Sequence, residues 1–267
     1  MLLVPIAIAL SAAMAAAWAI ARRPGRSGWT DAIWSFAIGA AGVAGALVPI
    51  GAPPTGRQIL VAGLVAFWSL RLGIHIAIRS AKSGDDPRYV ELKRQWGAAF
   101  SGRLFLFLQV QAAAALLLVG SIVAAARNTA SFIVWSDWAG AIILALAVIG
   151  EGIADRQLAG FRYNPANRRR VCDVGLWAWS RHPNYVFEWL GWAAYALIAI
   201  GPAGQSGWGW VALSGPLFMY WLLVHVSGIP PLEAHMLRSR GSAFRTYQAR
   251  VSAFWPMPPR SSEGIRS

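Results

Sequence analysis

Apolar residues fall along the chain in seven long runs, at about 2–20, 30–50, 58–79, 104–126, 136–155, 184–201 and 207–226. Arginine-rich polar segments separate them. A helix needs about 20 mostly apolar residues to cross a hydrocarbon core of about 30 Å. The pattern therefore predicts an all-α, polytopic membrane protein with seven transmembrane helices. The first run has no basic segment ahead of it, and Arg22 and Arg23 follow it, so it reads as a retained span and not a cleaved signal. Residues 1–267 read as a single seven-helix domain, in which segments 80–103, 156–183 and 227–267 add short cytoplasmic or interfacial helices.

Composition excludes the main alternatives. Hydrophobic residues make up 57% of the chain and charged ones 13%, with a mean hydropathy of +0.47. Soluble domains run at about 45–50% apolar and about 25% charged, so a water-soluble globule does not fit. Fifteen tryptophans and eleven phenylalanines exclude disorder. The single cysteine, Cys172, excludes a disulfide framework and any cysteine-based zinc or iron–sulfur site, and no metal is expected.

The net charge of +13 would suit nucleic acid if it were not so unevenly placed. Twenty-one of the 24 lysines and arginines lie in loop 21–29, in 79–103, in 156–183 and in the tail, the last including Arg266. The alternate loops hold only Arg57 and Arg127, and Arg71 sits inside the third run. The positive-inside rule then puts the N-terminus outside and the C-terminus in the cytoplasm. Segments 80–103, 156–183 and 227–267 are then expected to build the cytoplasmic face. Membrane lipids account for part of the charge. The remainder makes an electropositive mouth suited to a phosphate-bearing ligand. Neither nucleic acid nor an obligate protein partner is indicated.

Ionisable residues within spans are costly and point to function. Here they are Asp31, Arg71, His75, Glu151, Asp155, Glu188 and His225. Asp31 is either a helix N-cap or the partner of Arg71, which shares a helix face with His75. Glu151, Asp155 and Arg162 form one stripe that runs into a loop holding Asn164, Asn167 and Arg168–Arg170. That loop is either a positive-inside anchor or a binding wall with arginines for phosphate and amides for base or ribose.

The string at 175–192, GLWAWSRHPNYVFEWLGW, carries the sharpest signal. Pro183 favours a helix start there, so Arg181 and His182 stand at its N-terminus, a natural anion site for a pyrophosphate. Asn184 and Glu188 lie one turn inside and could grip the ribose or amide end of the same ligand. The tryptophans, with Tyr185, also fit an interfacial aromatic belt. In the tail, Ser227–Gly228 breaks the last span. Pro230–Pro231 opens a helix with Glu233 and His235, and a second short helix carries Arg245, Tyr247 and Arg250. These helices are either interfacial or a lid that closes a cofactor site against water.

Together these residues resemble the membrane-embedded steroid 5α-reductase superfamily, in particular its bacterial branch labelled DUF1295. The likeness includes Asp31…Trp34, Trp68-Ser69-Leu70-Arg71-Leu72 and Asp85-Asp86-Pro87-Arg88-Tyr89. It continues through Asp155…Phe161-Arg162…Asn167 and Gly175-Leu176-Trp177…Ser180-Arg181-His182-Pro183-Asn184-Tyr185…Glu188. It ends with Ser227-Gly228…Glu233…His235 and Tyr247…Ser252-Ala253-Phe254…Pro256.

The resemblance implies a seven-helix reductase that binds NADPH from the cytosol and takes a lipophilic 3-oxo-Δ4 steroid, or a related enone, from the bilayer. Hydride would go to C5 and a proton to C4. The implied cofactor residues are Asp155, Arg162, Asn164, Asn167, Arg168, Arg181, His182, Asn184, Tyr185, Glu188, Ser227, Glu233, His235 and Tyr247. The implied catalytic group is Asp31, Trp68, Arg71 and Tyr89. Where vertebrate 5α-reductases hold the ketone with a Gln-Glu pair and a Tyr, this chain has Thr30-Asp31-Ala32 and Trp68. An isoprenylcysteine-type methyltransferase using S-adenosylmethionine shares Arg-His-Pro-Asn-Tyr and is the main rival, although it has no use for a 2′-phosphate site. A non-enzymatic transporter or lipid-binding protein would place its charges at midplane between repeats.

Overall fold

A computed structural model describes residues 2–49, 53–83, 85–129, 131–132, 134–201 and 207–260; Arg266 of the basic tail lies outside them. Every regular element among the described residues is helical. The helices are α1 (Leu3–Ala21), α2 (Trp29–Leu47), α3 (Gly56–Ser83), α4 (Pro87–Trp96), α5 (Phe100–Ala126), α6 (Trp135–Tyr163), α7 (Pro183–Ile200), α8 (Ser214–Trp221), α9 (Ile229–Arg240) and α10 (Ser242–Arg250).

Six stretches among the described residues are long and apolar enough to cross a membrane: Leu3–Ala21, Trp29–Leu47, Gly56–Lys82, Arg88–Ala126, Trp135–Tyr163 and Gly207–Arg240. The expected seventh, at 184–201, forms α7 but falls outside this set. With 18 residues, α7 rises only about 27 Å at 1.5 Å per residue. Asn184, Tyr185 and Glu188 also make its first turns polar.

The chain divides into two compact units, one of Met1–Ala141 with Tyr195–Gly215, the other of Ile142–Ala194 with Pro216–Ser267. In the first unit α2 packs against α1, α3 and α5. Close approach of α2 and α3 depends on small residues, as is usual between helices in lipid. A Cβ on Gly39 would lie 2.0 Å from Ser69 Oγ. That hydroxyl donates to the Ser35 carbonyl (3.0 Å), and Ser35 Oγ donates back to the Asp31 carbonyl (2.9 Å).

Where α3 begins, Arg57 is 2% exposed and fully engaged. Its Nε and Nη2 reach Asp137 Oδ1 and Oδ2 at 2.7 and 2.9 Å. Nη1 and Nη2 donate to the carbonyls of Asn128 (2.7 Å) and Ser131 (2.6 Å). One guanidinium thus joins the start of α3, the segment after α5 and the start of α6. At the opposite end of α3, Asp85 accepts from the Gly25 and Ser27 amides (3.0 Å each) and from Ser27 Oγ (2.7 Å). These bonds tie the α1–α2 loop, whose Gly25 adopts φ +73°, to the turn before α4. Ser27 and the flanking amides hold the Asp85 carboxyl below its usual range, the hydroxyl being the largest influence.

In the second unit, Phe187 of α7 lies where a Cβ on Gly150 of α6 would stand, 2.4 Å from it. Further along α6, the Ala154 carbonyl accepts from Trp177 Nε1 (3.0 Å) and Gln157 Oε1 from the Leu176 amide (2.9 Å). The predicted break after the last apolar run is present: α8 ends in a π-helical turn at Leu222–Val226, with Ser227 N–H donating to Leu222 O at 2.9 Å. Gly228 follows, where a Cβ would meet the Leu223 carbonyl at 2.4 Å, and α9 then starts with Pro230–Pro231 near its first turn. Trp189, Tyr220, Phe254 and Trp255 form an aromatic cluster with ring centroids 5.1–6.2 Å apart.

Candidate functional site

Ser180-Arg181-His182 leads directly into α7, and Pro183 occupies the first helical position, where its missing N–H costs nothing. Ser180 Oγ accepts the His182 amide at 3.1 Å, which sets the entry to the helix. The His182 carbonyl accepts the Tyr185 amide at 3.0 Å as the first turn closes. From α9, Glu233 reaches this point. Arg181 Nε and Nη2 donate to Glu233 Oε1 (2.7 Å) and Oε2 (3.1 Å), Gln248 Nε2 donates to Oε2 (2.7 Å), and His182 Nε2 stands 3.0 Å from Oε1. Nη1 of Arg181 donates to the carbonyls of Gln248 (3.1 Å) and Val251 (2.5 Å).

The predicted residues Arg181, His182 and Glu233 therefore form one node around the buried His182, with Gln248 as a member that sequence reading missed. Four of the five N–H donors of Arg181 are spent inside the chain, so it braces α9 and α10 instead of presenting an open fork to a pyrophosphate. The backbone reinforces the strap: Arg181 N–H donates to Ser252 O and Met257 N–H to Trp179 O, each at 2.9 Å. Tyr247, on α10, is buried and donates its hydroxyl to the Trp177 carbonyl at 2.6 Å, and burial raises that phenol above its ordinary range.

His182 is 3% exposed, and its ring stacks on Tyr185 with centroids 5.4 Å apart and planes 11° from parallel. Burial pulls the imidazole below its ordinary range, against the opposing pull of Glu233. Its Nδ1 is buried and meets no hydrogen-bond partner among the described residues. Asn184, half-buried in the same first turn, has a carboxamide that none of the described residues engages. One turn further in, Glu188 is 8% exposed and accepts from Trp192 Nε1 at 2.9 Å. Asp155 is half-buried on α6, Ser227 half-buried at the π-turn exit, and His235 exposed on α9.

In the loop after α6, the carboxamides expected to read a base or ribose hold the turn. Asn164 Oδ1 accepts the Ala166 amide (3.0 Å), and Asn167 Nδ2 donates to the Phe161 carbonyl (3.0 Å) while its Oδ1 accepts from Arg170 Nη1 (3.3 Å). Arg162, Arg168, Arg169 and Arg170 are exposed, and Arg169 takes a left-handed φ of +73°.

The residues expected at the substrate lie in the other unit. Asp31 pairs with Arg88, a partner that the sequence reading, which matched it to Arg71, did not foresee. Arg88 is in turn held by Asp86 through Nε and Nη2, both at 3.0 Å, and Asp86 caps α4 by accepting the Arg88 amide at 2.9 Å. Burial pushes the Asp86 carboxyl up, but the bonds and charge of Arg88 outweigh it and hold the group below its usual range. The Asp-Asp-Pro-Arg turn thus delivers an arginine to Asp31 that helix periodicity in α3 could not reveal. Tyr89 is buried beside Arg88, whose guanidinium carbon stands 5.9 Å from the ring centroid. Trp68 is buried within α3, Arg71 half-buried and His75 exposed.

The sequence profile of a family described as "Protein of unknown function (DUF1295)" matches residues 17–251. "Uncharacterized protein C594.04c" of Schizosaccharomyces pombe is 24% identical over 230 residues, which cover 75% of this chain and 63% of that protein. The chain thus spans less than two thirds of the length of that relative. No solved structure matches the chain.

Proposed function

The chain belongs to the DUF1295 family, and on that premise we propose that it is an integral-membrane, NADPH-dependent oxidoreductase that reduces the Δ4 double bond of a 3-oxo-Δ4 steroid or a related lipid enone. In this reading α7 is a seventh crossing, the N-terminus lies outside, and the arginine-rich segments face the cytoplasm of a bacterial inner membrane. The observation that carries the reading is a segregation of chemistry. All residues assigned to the cofactor fall in the unit of Ile142–Ala194 and Pro216–Ser267, and all those assigned to the substrate fall in Met1–Ala141.

The residues present fit a dinucleotide. The unengaged Asn184 carboxamide and the bare Nδ1 of His182 stand in one helical turn, and the exposed arginines of the 162–170 loop suit a 2′-phosphate. Bound NADPH supplies the hydride that goes to C5 of the enone. Arg162 and Arg168 take the 2′-phosphate in this assignment, and Asn184 and Glu188 orient the polar end of the ligand. Arg88 has only donors to offer, so the Asp31 oxygen facing it acts as an acceptor. The role of donor to the developing enolate oxygen therefore passes to the Tyr89 hydroxyl, where charge builds toward the transition state.

Binding of NADPH and NADH to the purified protein in detergent tests the assignment. NADPH is expected to bind at least tenfold more tightly, with the preference weakening in salt. Arg162→Ala is expected to remove most of it without altering NADH affinity. Equal affinities in the wild type contradict the 2′-phosphate site, and binding of S-adenosylmethionine in place of NADPH favours the methyltransferase.

A further inference from the structure

We infer that His182 is a hydrogen-bond acceptor for a neutral donor group of the ligand, a ribose hydroxyl or a carboxamide N–H, and that Glu233, Arg181 and Gln248 are positioning residues that lock its tautomer. The ligand's identity rests on the nucleotide reading above, but the tautomer lock rests on geometry alone.

Both oxygens of Glu233 are committed as acceptors. Oε1 takes Arg181 Nε at 2.7 Å, and Oε2 takes Arg181 Nη2 at 3.1 Å and Gln248 Nε2 at 2.7 Å. The imidazole nitrogen 3.0 Å from Oε1 must therefore be the protonated one, so Nε2 carries the hydrogen. A neutral ring protonated at Nε2 leaves a lone pair on Nδ1. That atom is buried with no partner among the described residues, a state that proteins avoid unless something fills it. Its orientation is fixed twice, by Glu233 from α9 and by the Tyr185 ring stacked 5.4 Å away.

A bare acceptor selects its complement. An ionised phosphate offers only acceptors, so it does not fit Nδ1, although the helix N-terminus alone would attract it. A hydroxyl or amide N–H does fit. The first turn of α7 is thereby matched to the sugar or carboxamide part of a nucleotide, and the anionic part is left to other residues.

The test uses full-length protein in detergent with 15N-labelled histidine, the His182 signals being assigned by comparison with His182→Phe. At pH 7.5 the inference predicts a protonated Nε2 and an unprotonated Nδ1 for His182. NADPH is expected to shift the Nδ1 resonance in the direction of hydrogen-bond acceptance. His182→Phe, which keeps the ring stack, should lose at least tenfold in NADPH affinity, and His182→Gln, which restores an acceptor, should recover most of it. Glu233→Gln should populate both tautomers and weaken binding, an effect that a purely structural Glu233 would not produce at the ring nitrogens. An NADPH analogue with acetyl in place of the carboxamide separates the donors. A retained Nδ1 shift assigns the ribose hydroxyl, and a lost one assigns the carboxamide. A protonated Nδ1 in the wild type, unchanged NADPH affinity in His182→Phe, or no Nδ1 response to either NADPH or S-adenosylmethionine overturns the inference. A response to S-adenosylmethionine alone supports it while refuting the NADPH reading.

Discussion

Burial lowers the proton affinity of the His182 imidazole, Glu233 raises it, Arg181 lowers it further, and burial prevails. An unfolded histidine binds its proton near pH 6.5. The folded one does so only at lower pH, so between these values the unfolded chain binds more protons. Stability then falls as pH drops below about 6.5. The unfolding temperature in detergent is expected to be flat above pH 7 and to decline between about pH 6.5 and 5.5, with the decline largely removed in His182→Phe. An equally steep decline in that variant would contradict this account of the node. Single residues were also where sequence reading was least complete. Arg-His-Pro-Asn-Tyr announced a site, but which of its groups face a ligand depends on Glu233, some fifty residues later. Asp31 was legible as special, whereas its pairing with Arg88 depends on the course of the turn at 85–88, which periodicity does not encode.

Helices were more legible than their joints. Long apolar runs gave every major helix, and Pro183 and Ser227–Gly228 marked a start and a break that the structure contains. Counting runs gives seven crossings, whereas six stretches among the described residues are long and apolar enough to cross; α7 makes the difference, because its polar first turn shortens its apolar run. Arg57 entered the sequence reading only as one of two basic residues in the alternate loops, yet it is buried in a bidentate pair with Asp137 at 2.7 Å. Asp137, an acidic residue at the start of a span opposite a solitary basic one, was the available signal. Removing one partner leaves the other charge buried, so Arg57→Ala and Asp137→Ala should each destabilise by about 3–5 kcal/mol. The double variant should cost clearly less than the two added together, a comparison that denaturation in detergent measures. Additive losses would mean that the pair is not the joint between α3 and α6.

For the molecule as a whole, composition and the long apolar runs made the membrane-spanning helices legible, and the string at 175–192 pointed to residues that the structure gathers around His182 and Glu233. The resemblance to membrane reductases supplied the rest of the functional expectation. Family membership carries the chain to the DUF1295 family but assigns it no reaction, so the central claim is the reduction itself. The most direct measurement follows the hydride. NADPH deuterated at nicotinamide C4 is supplied to the purified protein with progesterone, and the product is analysed by mass spectrometry. The account predicts one deuterium at C5 of a 4,5-dihydro product, formed in equal amount with NADP+. Folded protein that binds NADPH yet leaves progesterone, testosterone and simpler lipid enones unlabelled would contradict it.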